Sequence, residues 1–473
     1  MKTKKVFMLS LLLVFLLNFS IASAFDSGST GTLGAFNPPV NTEVILPPDG
    51  ILNYTTVNIP SGVTVTFLKN TANTPAYMLA SGDVTIAGTI DISGEEGSSI
   101  YPGKSGIGGF EGGYGGSPGD GSNPSLPGGK GLGPGGGGQG VLDYVLQYGS
   151  SGGGGGGFGS NGTNGKGTSY AAPGTGGSSY GNAKLLPMIG GSGGGGGASS
   201  PSYTQAYGGA GGSGGGALLI ASSGTITLTG SIISNGGKGA DASAGYAGGG
   251  GGASGGAIKL MADTITGSGT ISAIGGALGA KTGLYGYDGG AGGSGRIRFE
   301  SNSVTGSINT TPANTHSPLG NVFIPNIPTL KITSIGGVNV PANPTGTYGI
   351  PDVTLPSTTN PVTLVVSATN IPVSTHVTVI AIPQYGISSS GDGNLSGTDT
   401  SSTASISLSI DTTYECILMA QVTYTVQTAM YYEGEKIEKV RVASAIGGKS
   451  QAVYITEKGR EIPAEMLFAK LMQ

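Results

Sequence analysis

Cysteine and histidine, which supply many nucleophiles, bases and metal ligands, are nearly absent from this chain. It has one cysteine, Cys416, and two histidines, His316 and His376, among 473 residues. A single cysteine excludes an intramolecular disulfide framework. The three residues after Cys416 are apolar, and a free cysteine in such surroundings behaves as a small buried hydrophobe. We therefore expect no catalytic residues, no metal site and no cofactor.

Charge is also scarce. Only 10% of the residues are charged, and the formal net charge is −4. This excludes the strong basic field that would attract nucleic acid or an anionic membrane. Because charged side chains normally cover much of a soluble surface, hydroxyl groups, amides and exposed glycine backbone must provide most of the hydration here.

Long hydrophobic runs are missing after the first twenty residues. Three lysines in the first five residues precede an apolar stretch, 6–19, and the small residues Ala22-Ser23-Ala24 follow it. This order is typical of a signal peptide and predicts cleavage after Ala24. No later segment approaches the roughly 20 apolar residues that a membrane helix requires. We expect a secreted or cell-surface protein with no membrane span in the mature chain.

A 39-residue repeat is the main pattern that is present. Written in lines of 39, residues 212–308 place apolar residues in two columns. One column holds Leu219, Ile258 and Ile297, and the other holds Ile226, Ile265 and Val304. Each unit runs from glycines through a short apolar strand to a second, alternating strand. Short strands at a fixed period predict a β-solenoid, whose coils bury their apolar sides against one another.

A coil similar to those of the repeat occurs earlier in the chain. The strand Val84-Thr85-Ile86 matches Ile226-Thr227-Leu228 at an offset of 142 residues. A long insertion, 94–211, therefore separates two equivalent coils. Residues 25–70 combine turn residues with short strands, and we expect them to form a cap over the exposed end of the solenoid.

Glycine dominates the insertion and the repeats, because 75 of the 96 glycines lie in 94–296. Two interpretations compete. Such a segment can be a disordered excursion, since glycine loses the most backbone entropy on ordering. It can also pack as polyproline-II-like strands, which approach closely only where side chains are absent. Short apolar clusters near Val145 and Leu186 interrupt the glycine. Because a flexible linker would not need them, they favour an ordered segment.

Ordinary strands replace the glycine repeats after residue 320. Runs such as Val362–Val366 and Val377–Ile382 alternate with turn residues, at the spacing of a β-sandwich. Residues 436–442 and 452–456 are expected to add a hairpin, and 464–472 a short helix.

Two groups of charged residues could carry chemistry. Asp91, Glu95 and Glu96 are the densest acidic cluster, but the carboxylate of Asp91 does not recur in the next coils, which favours a solvated turn. Lys259 and Arg298 do recur one period apart, with Glu300 close by. Their side chains are expected to point outward. They could bind an acidic polysaccharide, or form a polar row in which Glu300 is a surface partner.

Three short motifs carry a resemblance. Gly88-Thr89-Ile90, Gly230-Ser231-Ile232 and Gly269-Thr270-Ile271 each lead to further glycines. Their style resembles that of secreted, glycine-rich bacterial proteins, namely right-handed β-helix adhesins and filamentous-haemagglutinin-like exoproteins. The resemblance implies a fold and a bacterial cell-surface role, and it implies no active site.

The expected fold class is all-β. We predict a short right-handed parallel β-helix with long glycine-rich insertions at 25–320, followed by an immunoglobulin-like β-sandwich at 321–473. The predicted function is structural or adhesive and non-catalytic, at the cell surface or in the extracellular matrix. Its expected partners are a polysaccharide or further copies of the chain, and not nucleic acid. The alternative is a polysaccharide-binding or polysaccharide-cleaving protein, with Lys259, Arg298 and Glu300 as the ligand-binding residues.

Overall fold

The computed structural model describes residues 25–119, 124–145, 149–185, 188–283, 285–323, 328–356, 359–432, 435–444 and 450–463. The predicted signal peptide and the predicted helix at 464–472 lie outside these residues. Within them the chain is all-β, with strands in parallel and antiparallel sheets and no helix. Accordingly, the described residues contain no helix long and apolar enough to cross a membrane.

Fifteen strands lie among the described residues from 25 to 317. They are β1 Thr42–Ile45, β2 Ile51–Tyr54, β3 Val57–Ile59, β4 Thr64–Leu68, β5 Ala76–Ala80, β6 Val84–Ile86, β7 Thr89–Asp91, β8 Ala217–Leu228, β9 Ser231–Ile233, β10 Ala257–Gly267, β11 Thr270–Ser272, β12 Arg296–Glu300, β13 Ser303–Gly306, β14 Asn309–Thr311 and β15 Thr315–Ser317.

These strands form two parallel sheets. The first has six strands in the order β1-β4-β7-β9-β11-β14. The second has nine strands, with β15-β12-β10-β8-β5-β2 in line, β3 and β6 alongside them and β13 beside β10. A buried apolar core includes residues of both sheets, for example Ile90 and Ile232 from the first and Ile226 and Ile265 from the second. Each repeat therefore contributes to both walls of one core.

The register confirms most of the repeat and corrects one column. Ile265 pairs with Ile226 and Val304, and Ile258 pairs with Ile297, all at the predicted spacing. The expected place of Leu219 is wrong by one residue, because Ile258 pairs with Leu218. A shift beside Asp263 explains this, since β8 has one more residue there than β10.

The structure also describes the two ends of the repeat region. Val304 was expected in the core but is 43% exposed, because β13 pairs only with β10. Residues 25–70 were expected to cap the exposed end of the solenoid. In the structure β1 and β4 pair in parallel and β4 continues onto β7, while β2 and β3 pair with β5 and β6, so this segment lies at the end of the two sheets and extends them. The predicted offset of 142 residues is confirmed, since Val84 pairs with Ile226.

The glycine-rich segments form a hydrogen-bonded bundle, called the glycine bundle below. It comprises the described residues of 92–216, together with 234–256 and 273–295, which lie between strands of the two parallel sheets. In 152–157 the backbone amides of three successive residues donate hydrogen bonds to three different neighbouring segments, 163–166, 249–252 and 135–138. The next three amides repeat the same order. A hydrogen-bond pattern that repeats every three residues matches the polyproline II helix, which has three residues per turn.

Interior segments of the bundle have six neighbours. The carbonyl groups of 151–156 accept hydrogen bonds from three further segments, 174–177, 195–198 and 290–293. Three neighbours thus receive amide hydrogen bonds and three donate them. This is the ordered alternative that the sequence left open, and it satisfies buried backbone groups that would otherwise be costly.

Only glycine fits at most of the inner positions. A Cβ atom built on Gly195 would collide with the carbonyl group of Gly138, and one on Gly153 would collide with the carbonyl of Gly195. The obstructing atoms belong to the backbone, so no side-chain rotation can relieve the overlap. Close packing therefore requires the composition that sequence analysis alone would also associate with disorder.

One end of the bundle, called its base, packs against the outer face of the nine-stranded sheet. Leu79, Leu219 and Met261 of the sheet share a buried cluster with Phe110 and Phe158 of the bundle. Ile382 and Ile417, from the last third of the chain, belong to the same cluster. The parallel sheet is consequently covered on both faces, as parallel sheets normally are.

The last third of the chain is antiparallel. Its strands are β16 Thr329–Ile335, β17 Val338–Asn339, β18 Val362–Thr369, β19 His376–Pro383, β20 Ser389–Asn394, β21 Ser396–Thr398, β22 Ser401–Leu408, β23 Cys416–Tyr432, β24 Glu435–Ser444, β25 Ser450–Thr456 and β26 Glu461–Pro463. They form sheets ordered β17-β16-β18-β22-β21 and β20-β19-β23-β24-β25-β26. Both sheets contribute to one buried core, and the predicted hairpin is β24 with β25.

The position of Ile265 in the repeat core can be tested against Val304, its exposed neighbour in the same column. Ile265→Asp would bury an unpaired carboxyl group in an apolar core. We expect a loss of at least about 4 kcal/mol in the free energy of unfolding. Val304→Asp should cost less than about 1 kcal/mol, because the residue is exposed. Denaturant titration of both variants measures the difference, and similar losses would contradict this register.

Close glycine packing can be tested with two Gly→Ala substitutions. Gly195→Ala should destabilise the protein by about 3 kcal/mol, since rigid backbone must move to accept the methyl group. Gly245 is the matched control, because a Cβ there would come no closer than 3.4 Å to another atom. Thermal unfolding compares the two, and an unchanged midpoint for Gly195→Ala would show that the bundle is looser than described.

Candidate functional site

The structure brings the predicted residues Lys259, Arg298 and Glu300 together in a buried ion cluster. Lys259 Nζ and Arg298 Nε each lie 2.9 Å from Glu300 Oε1. Arg298 also donates to the hydroxyl groups of Thr315 and Ser317. Lys259 is 1% exposed, and Arg298 and Glu300 are 4% exposed. Burial lowers the pKa of Lys259, and the charge of Glu300 acts in the opposite direction.

These side chains point outward from their strands, as expected, because their neighbours Ile258, Leu260 and Ile297 face the inner core, but they are buried and not open to solvent. They lie on the outer face of the nine-stranded sheet, but the glycine bundle and the last third of the chain cover part of that face. Periodicity placed the residues on one row correctly, since Lys259 pairs with Arg298 in register. It could not reveal what covers the row. A covered and paired cation offers little charge to a polymer in solution.

The other candidates have local structural roles. A carboxylate oxygen of Asp91 accepts the amide of Ser93, and one of Glu95 accepts the amide of Lys104. Across the described residues no group of three or more histidine, cysteine or acidic side chains could hold a metal ion. Cys416 is half-buried, and burial with the nearby charge of Asp411 raises its pKa to about 11. Such a thiol is a poor nucleophile at neutral pH.

The end of the bundle away from the nine-stranded sheet, called the tip below, is a surface that sequence analysis missed. Neighbouring segments turn back here, and several of their turns carry tyrosine. The exposed tyrosines on these turns include Tyr144, Tyr170, Tyr203, Tyr207 and Tyr285. Hydrogen bonds join adjacent turns, for example from the amide of Ser150 to the carbonyl of Tyr246 and from that of Ser243 to Tyr207.

Two of these tyrosines form a stack with the half-buried Tyr246, and the three rings come from three different turns. The ring centroids of Tyr203 and Tyr246 are 4.3 Å apart with planes at 8°, and those of Tyr246 and Tyr285 are 5.1 Å apart at 14°. Two ion pairs lie on the segments that carry these turns, Lys166 with Asp288 at 2.8 Å and Lys238 with Asp241 at 2.9 Å. Lys281, on the turn of Tyr285, is exposed. The tip therefore combines stacked aromatic rings with paired charges and the exposed Lys281.

The composition of the tip suits molecular recognition. Tyrosine supplies a large amphipathic contact area with few rotatable bonds, while serine, glycine and asparagine supply adaptable hydrogen bonds. Exposed aromatic patches on a folded protein mark interaction sites. Tyrosine beside serine and proline in a short polar segment, as in Ser200–Tyr207, was a signal available in the sequence. Only the fold shows that distant turns meet.

The ion cluster has two cations for one carboxylate, and this predicts unequal effects of mutation. Glu300→Gln leaves two buried cations without a counter-ion, so we expect a loss of about 3–5 kcal/mol in unfolding free energy. Lys259→Met keeps the Arg298–Glu300 pair and should cost clearly less. Denaturant titration decides, and equal losses would contradict the described pairing.

Searches against protein-family models, curated proteins and solved structures found no match.

Proposed function

We propose that the chain is an exported structural or adhesive protein, non-catalytic, that attaches to its partner through the tip of the glycine bundle. The observation that carries the proposal is the stack of Tyr203, Tyr246 and Tyr285 across three turns. A bundle bonded in six directions holds these turns in place, so little conformational entropy is lost when a partner binds. Recognition loops on a rigid scaffold are a common arrangement in binding proteins.

The finer description of the fold belongs to the same proposal. The two parallel sheets, with one strand of each in successive repeats, favour a short right-handed β-helix elaborated by glycine insertions. Two antiparallel sheets around one core favour an immunoglobulin-like β-sandwich in the last third. A secreted or cell-surface location and bacterial origin remain predictions from the signal peptide and from the style of the repeats.

Polysaccharide binding is the second candidate function. It loses support at Lys259 and Arg298, because both are buried and paired with Glu300. It gains support at the tip, since tyrosine rings present both an apolar face and a hydroxyl group. Sugars and protein surfaces both suit such a site, so the binding experiment must include both.

The experiment compares wild type with the triple variant Tyr203→Ala, Tyr246→Ala and Tyr285→Ala. Both are applied to immobilised polysaccharides, to matrix proteins and to immobilised wild-type chain. We expect the triple variant to lose at least about tenfold in affinity for the partner, since aromatic contacts dominate such interfaces. Binding should also persist at high salt, because salt screens charges and not the contacts of uncharged tyrosine rings.

The matched control is Phe323→Ala. Phe323 is 46% exposed, as Tyr203 is, but its ring packs on Tyr77 away from the tip. Binding that survives the triple substitution would refute the proposal for the tip. Salt-sensitive binding to an acidic polysaccharide that requires Lys259 and Arg298 would instead restore the second candidate in its original form.

A further inference from the structure

A cleft of about 690 Å³ opens between the base of the glycine bundle and the second antiparallel sheet. Its walls are largely apolar. The apolar lining includes Phe110, Leu132 and Ile189 on the bundle side and Ile417, Met419 and Val453 on the sheet side. Cavities of this size, mostly apolar with a few polar groups, are typical of sites for small organic molecules.

Arg296 is the uncompensated charge in this lining. Its Nη2 atom donates to the carbonyl oxygens of Tyr180 at 3.1 Å and Phe158 at 3.4 Å. The structure gives no acceptor to Nη1, and the buried Nε atom also lacks one. No carboxylate among the described residues pairs with it. Burial accordingly lowers the pKa of the guanidinium group.

The other charged residues described in the lining neutralise each other. Arg441 Nη2 lies 2.8 Å from both carboxylate oxygens of Glu461. That pair lies on the sheet side of the cleft. On the bundle side, the positive charge of Arg296 has no counter-ion among the described residues. A partly buried cation without a counter-ion is costly, and an anion in the cleft would offset that cost.

We propose that this cleft binds a small amphiphilic anion, with its acidic head at Arg296 and its apolar body against the Phe110 and Ile417 walls. The two carbonyl groups and the ring of Phe158, 5.6 Å from the guanidinium carbon, hold Arg296 in orientation. A planar guanidinium group matches a carboxylate or similar head in geometry as well as in charge. One unpaired cation selects a monoanion, and the apolar walls disfavour a simple inorganic ion. The site does not depend on the tip.

Two fluorescent dyes of similar shape test the head and the body separately. The anionic probe is 8-anilinonaphthalene-1-sulfonate, and the neutral one is N-phenyl-1-naphthylamine. Arg296→Met should weaken binding of the anionic dye at least about tenfold, because a charge-assisted hydrogen bond is lost. The same variant should leave the affinity for the neutral dye unchanged. Equal affinity of wild type and variant for the anionic dye overturns the proposal.

A second variant fills the cleft without altering Arg296. Ala443 lies in the lining, and Ala443→Trp should abolish binding of both dyes while thermal unfolding stays near wild type. If Arg296→Met instead weakens both dyes equally and lowers the unfolding midpoint, Arg296 serves only to hold the bundle, and the proposal fails. It also fails if a synthetic peptide of residues 464–473 displaces the dyes, since the cleft would then suit the chain's own C-terminal sequence.

Discussion

Hydrogen bonding between closely packed glycine backbones is the interaction on which the structure depends. Each interior segment of the bundle exchanges bonds with six neighbours, as 151–157 does. This arrangement replaces the apolar side-chain core of an ordinary domain with a lattice of satisfied amides and carbonyls. Its cost is the large backbone entropy that glycine loses on ordering. Its strict requirement is that no side chain intrudes between the segments.

Because side chains do not fit between the packed glycine segments, the large side chains of the bundle lie mainly at its two ends. At the base, Phe110, Phe158 and Met188 pack against the parallel sheet and against Ile382 and Ile417. At the tip, tyrosines are free of the packing constraint and lie on the surface. One end therefore anchors the bundle, and the proposed binding surface lies at the other end. Stability and the proposed binding depend on different residues for a steric reason.

Strand β12 shows how strongly surroundings decide the role of one residue type. Arg296 and Arg298 are two positions apart, so both project from the same face of the strand. Arg298 meets Glu300, Thr315 and Ser317 and becomes part of a buried ion cluster. Arg296 meets only two carbonyl groups and an aromatic ring, and its charge remains available in a cleft.

The sequence by itself determined the all-β class, the 39-residue register of Ile265 with Val304, and the hairpin of β24 with β25. These features follow from periodicity, because strand alternation and repeat stacking are local rules. Three matters were left to the tertiary structure: the order of the glycine segments, the burial of Lys259, and the meeting of Tyr203 with Tyr285 through Tyr246. Each depends on contacts between segments far apart in the chain. Glycine has no side chain to encode such contacts in a local pattern, so only the packed backbone specifies them.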